Sequence, residues 1–196
     1  MPEQHNQSGM TLVEILVAMV MMGIIITGIY NLFRVHNLMA AKQEETTMMQ
    51  QELLSAMADM TEELRMCGFK PMGNGFFGFN ASGTNQTSVY CTRGLSINNN
   101  STDIIAYTRN STNNDLLVYI SSDDEWVAAA SNISDLNFIY FNEDGLEISN
   151  PTAATVGQIR MIEINATAIP SPERAKLNIN SRTMHSRVWL RNMGLE

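Results

Sequence analysis

Residues 15–33 read ILVAMVMMGIIITGIYNLF, an apolar run of about 19 positions without a charge, which at about 1.5 Å per residue covers close to 30 Å. That is enough to cross the hydrocarbon of a bilayer. The stretch 34–66 that follows has neither Pro nor Gly, so the sequence predicts a helix continuing through it. In its second half Leu53, Met57, Met60, Leu64 and Cys67 recur at intervals of four and three, while Glu52, Asp59, Glu62 and Glu63 fall outside that stripe. One side of this amphipathic half therefore needs an apolar partner. After Cys67 the texture changes to Gly, Asn and Ser with interleaved aromatics, which ends the helix. Six short runs of β-type composition come next, at 88–91, 103–109, 116–121, 136–142, 159–169 and 183–191. In the fifth, Arg160, Ile162, Ile164 and Ala166 alternate with Ile159, Met161, Glu163 and Asn165, the period of a strand with one face on a core. A sheet face and a helix stripe each need something to bury against, so the pattern predicts an α+β fold. In it a long N-terminal helix, with a transmembrane first half and an amphipathic second half, packs on a C-terminal antiparallel β-rich domain.

Composition narrows the function classes. The chain has 196 residues, 44% of them apolar and 16% charged, a balance that suits one folded domain with an appendage. It carries 20 acidic and 12 basic residues, a net charge of -8, and no basic stripe that would follow a phosphate backbone, so nucleic acid is not an expected partner. Cys67 and Cys91 are the two cysteines. They are either a disulfide, which would close a loop of roughly 25 residues and stabilise by about 3 kcal/mol, or two buried thiols. With no CxxC and with His5, His36 and His185 scattered, redox or zinc chemistry has no footing. The many Met residues of the helix, among them Met19, Met21, Met22, Met48 and Met49, supply adaptable packing. Gly23 and Gly28 are either ordinary membrane-helix glycines or points of local bending.

Two features at the start of the apolar run concern chemistry. A short polar stretch, MPEQHNQSG, stands before it, and Glu14 lies inside it. An ionisable group at that depth costs several kcal/mol unless it finds a partner, so Glu14 either serves a function or sits at headgroup level. No A-x-A-like site follows the run, so the apolar segment is expected to be retained. Gly9, Met10, Thr11, Leu12, Val13 and Glu14, followed by Ile15, Leu16, Val17, Ala18 and Met19, resemble the prepilin motif of type IV pilins and type II secretion pseudopilins. The resemblance implies cleavage by a prepilin peptidase between Gly9 and Met10, N-methylation of Met10, and pairing of Glu14 with the amino terminus of a neighbouring subunit. It also implies an inner-membrane assembly platform and other pilin subunits as partners. The implied location is a single pass of the inner membrane with a periplasmic C-terminal domain, then a filament. Such leaders usually carry Lys or Arg; this one has none, whereas Arg34 and Lys42 follow the span, so charge bias alone favours the opposite orientation.

A second resemblance lies further on. Leu64, Arg65, Met66, Cys67, Gly68 and Phe69 are similar to the helix end of PilW-like minor pilins. Ile133 through Phe141 with Asp144 and Gly145, and the terminal Val188, Trp189 and Leu190, look like strands of those proteins and of GspJ-like pseudopilins. This implies a minor subunit acting at initiation or at the tip of a filament, with a minor pseudopilin or a membrane-anchored binding or sensor protein as the alternatives. The implied organisation is a leader at 1–9, an assembly helix at 10–33, its amphipathic continuation at 34–67 and a β-rich domain at 68–196. The stretch around Asn142, Asp144 and Gly145 predicts a hairpin turn rather than a calcium loop, and Asp123, Asp124 and Glu125 predict a solvated turn. With no phosphate loop, nucleophile elbow or histidine constellation, no enzyme activity and no cofactor are expected.

Overall fold

The computed structural model describes residues 10–70, 77–94 and 102–194. Gly9 and the rest of the proposed leader lie outside the described residues. Among the described residues, one α-helix, α1 (Leu12–Arg65), precedes nine strands. These are β1 (Gly78–Phe79), β2 (Ser88–Gly94), β3 (Thr102–Asn110), β4 (Asp115–Ile120), β5 (Glu125–Ala130), β6 (Ile133–Phe141), β7 (Glu147–Ile148), β8 (Met161–Ala168) and β9 (Arg182–Trp189). Short 3-10 turns, Val156–Gln158 and Pro172–Leu177, flank β8. The architecture is α+β, as the alternation of periods predicts.

The chain divides into two compact units, Met1–Glu44 and Glu45–Glu196. In the first, the described residues from Leu12 onward are helical, and α1 passes through Gly23 and Gly28 without a break. Both glycines face open space, so neither is required by a close neighbour.

The second unit holds two antiparallel sheets, ordered β1-β2-β3-β4-β5 and β7-β6-β8-β9. The final turns of α1 supply Met49, Leu53, Ala56, Met57, Met60 and Leu64 to a core shared with both sheets. Leu53, Met60 and Leu64 have no exposed surface, which is the stripe read from the sequence. From the sheets come Phe79 and Leu116 on one side and Phe138, Ile162 and Ile164 on the other. Phe79 and Tyr140 meet edge to face at 6.2 Å, the arrangement favoured by the ring quadrupole. β8 behaves as its alternation demands: Ile162, Ile164, Ala166 and Ala168 are buried, and Glu163, Asn165 and Thr167 lie on the other face. Met161, on that second face by period, is buried as well.

Three strands are not among the predicted runs. β1 and β7 have two residues each, too short for any period. β5 reads EWVAAA, and three alanines give it weak β propensity, yet it pairs with β4 from Leu116 to Ile120. The turns into and out of it place Asp124 and Asn132 at φ 53 and 58, a region these two residue types tolerate. The expected turn between β6 and β7 is present: Asn142 N–H donates to Leu146 O (3.0 Å), Leu146 N–H donates to Asn142 Oδ1 (2.8 Å), and Gly145 takes φ 76.

Candidate functional site

The N-terminus of α1 carries the first group of candidate residues. Thr11 stands just before the helix, and its carbonyl accepts the first helical bond, from Ile15 N–H at 3.3 Å. Glu14 Oε2 accepts from Thr11 N–H and from Thr11 Oγ1, both at 2.9 Å, and Glu14 N–H donates to Thr11 Oγ1 at 3.4 Å. This reciprocal pair is a capping box, in which a threonine and a glutamate three residues later satisfy amides that the first turn leaves open. Placing a carboxylate in the first turn also complements the helix dipole. The T-x-x-E spacing before an apolar run is the sequence sign of such a box, and a reading of Glu14 by depth alone misses it.

Among the described residues, none buries the apolar surface around this cap. Met10 is 76% exposed, and Leu12, Met19, Ile24 and Leu32 are exposed to a similar degree. A surface greasy on all sides belongs in lipid or in a packed assembly, because leaving it in water costs about 25 cal/mol per Å². By length and composition α1 is able to cross a membrane. Thr27 Oγ1 donates to Gly23 O at 2.8 Å, which removes a hydroxyl from that surface. Met10 and Glu14 therefore sit at one end of an uncovered apolar rod, with the Glu14 carboxylate occupied by its own helix.

The second group fastens the end of α1 to the β-rich unit. Cys67 and Cys91 are joined by a disulfide with Cα atoms 5.8 Å apart, and neither residue is exposed. Three carboxylates along α1 add further ties. Glu45, 4% exposed, accepts from Ser171 N–H at 2.7 Å and pairs with Arg174 at 3.5 Å. Glu52 accepts from Ser131 N–H at 2.6 Å, and Glu63 pairs with Arg93 at 2.9 Å. Arg93 also bonds Asp103, at 2.7 Å. At 100° per residue Glu52 and Glu63 return to within about 20° of Glu45, along one border of the apolar stripe. Glu52 and Glu63 are thus edge clamps, not a face turned away from the domain. The sequence signal for this was the spacing of seven and eleven residues between them.

Elsewhere, burial and hydrogen bonding set the electrostatics. Tyr140 donates its hydroxyl to Asn85 O (2.8 Å) or Ser88 O (3.1 Å), and burial pushes its ionisation well above the usual range. Tyr119 bonds Asp124, and that bond raises the phenol. Glu163 is lowered chiefly by the Arg187 guanidinium, 2.6 Å away. Among the described residues no three Asp, Glu, His or Cys side chains converge for a metal.

Residues 4–30 match the family model described as the prokaryotic N-terminal methylation motif. The matched stretch contains Gly9, Met10, Thr11 and Glu14 together with most of the apolar run. No curated protein matches the chain. The motif is that of prepilin-type proteins, structural subunits of the type IV pilin kind, whose processing enzyme is the prepilin peptidase and whose assembly partners are other pilins.

Proposed function

We propose that this prepilin-type chain is a minor pilin that acts at the initiation or tip of a type IV pilus-like filament. The observation that carries the reading is the uncovered apolar helix with Glu14 four residues from Met10. In this account the peptidase cuts between Gly9 and Met10 and methylates the new amine of Met10. Until assembly the helix stays in the inner membrane with the β-rich unit in the periplasm. The assembly platform then passes it into the filament.

Glu14 sets the register during that transfer. A carboxylate and an amine brought together out of water each remove the other's desolvation cost, which favours correct alignment more than it adds raw stability. In the single chain the carboxylate is held by Thr11, so the cap supplies a local partner while no neighbour is present. Exchange of that bond for the neighbouring amine is the step that joins subunits. The β-rich unit, fastened to the final turns of α1 by the disulfide and the three carboxylates, is carried into the filament with the helix.

Replacing Glu14 by Ala tests this directly. The variant should be cut and retained in the membrane at normal levels but should be missing from sheared filaments. Normal incorporation of the Ala variant would contradict the role given to Glu14, and a chain that serves only as an anchored binding protein would show no effect of the change.

A further inference from the structure

Between the last turns of α1 and strands β3 and β4 lies an open groove of about 600 Å³. Ile105, Val118, Ile120 and Ala56 form its apolar floor and sides. Its charge is one-sided: Asp59, Glu62, Glu63 and Asp103 line it, against the single cation Arg93. Arg93 is already engaged by Glu63 and Asp103. Asp59 and Glu62 have no salt bridge among the described residues.

A second observation points into the same space. Tyr107 is only 3% exposed and lines the groove, yet its hydroxyl has no hydrogen-bond partner among the described residues. No buried side-chain oxygen is left unsatisfied in the described residues, so this hydroxyl reaches the groove opening and not the core. Burial and the nearby Glu63 and Asp59 carboxylates raise its ionisation, so it stays a neutral donor and acceptor.

We propose that this groove docks a lysine- or arginine-bearing, otherwise apolar segment of a partner protein. The alkyl stem of the basic residue lies along Ile105 and Val118, and its cation ends between Asp59 and Glu62, where the Tyr107 hydroxyl accepts from it. Long basic side chains bury their stems on apolar walls while the charge stays at a polar rim, which matches this distribution. A metal ion does not fit, because no three ligating side chains converge among the described residues. The net charge of -8 makes a second copy of this chain a poor electrostatic match.

The test uses the full chain in nonionic detergent and a dye-labelled decapeptide of alternating valine and lysine, followed by fluorescence anisotropy at low salt. Saturable binding is expected, weakened at least tenfold by the Asp59→Asn, Glu62→Gln double change and several-fold by Tyr107→Phe. A decapeptide with glutamate in place of lysine should not bind. Absence of saturable binding, or binding that ignores the double change, would overturn the proposal. So would equally tight binding of spermidine, which would make the groove a site for small cations. Self-association of the chain that disappears with the double change would assign the groove to a second copy and would also overturn it. None of these readouts depends on cleavage or on Glu14, so the filament reading stands or falls separately.

Discussion

Replacing Cys67 and Cys91 together by alanine removes the one covalent tie between the end of α1 and β2. The two residues are 24 positions apart, and on the chain-entropy relation a closed loop of about that size stabilises by about 3.5 kcal/mol. Both side chains are fully buried, so trimming each sulfur adds a small loss of packing in the same direction. For the full chain in nonionic detergent, unfolding in guanidinium can be followed by near-ultraviolet circular dichroism, which reports the buried Tyr107 and Tyr140. With an m value of about 3–4 kcal/mol/M, the midpoint should fall by about 1 M. Reduction of the unaltered chain should give a similar fall. A change under about 1 kcal/mol in both experiments would show that the bond does not hold the unit together and would refute the reasoning.

Four further outcomes follow from the same contacts. Glu45→Ala leaves the Ser171 amide without its acceptor and should lower stability by about 2 kcal/mol in the same unfolding assay. Thr11→Val breaks the capping box and should cost the first turn about 1 kcal/mol, seen as faster hydrogen exchange at the amides of Glu14 and Ile15. Tyr140→Phe deprives the carbonyls of Asn85 and Ser88 of a donor and should lower the melting temperature by a few degrees, for a loss of about 1 kcal/mol. Because Arg187 holds the Glu163 carboxyl below its ordinary value of 4.5, that pair stabilises the fold above this pH and its contribution is lost as the pH falls through the lowered value. Arg187 is largely exposed, so the effect should be under about 1 kcal/mol, and Arg187→Gln should flatten the acid limb of a plot of urea midpoint against pH.

Much of the fold was readable because two periods were clean. The spacing of Leu53, Met57, Met60 and Leu64 located the face of α1 that enters the core, and the alternation along β8 located the face that meets it. What escaped was structure without a period. β1 and β7 are two residues long, and β5 ends in three alanines of weak β propensity yet pairs along β4. Tertiary pairing overrode local preference there. At the candidate site the motif around Met10 and Glu14 was legible as chemistry. Its capping geometry was not, because depth in an apolar run says nothing of the hydrogen bonds that Thr11 offers to a carboxylate three residues on. Glu45 was missed because one of two adjacent glutamates inside a polar stretch gives no local sign that the Ser171 amide, 126 residues on, and Arg174 will reach it.

The central claim is that residues 1–9 are shed and that Met10 becomes a methylated amino terminus. Intact mass and N-terminal fragment spectra of the chain recovered from producing cells measure this directly. The account predicts a polypeptide beginning at Met10 with one methyl group on its amine, and accumulation of the uncut form when Gly9 is replaced by a bulky residue. A membrane-bound product that still begins at Met1, or a Gly9 variant cut as efficiently as the original, would contradict it.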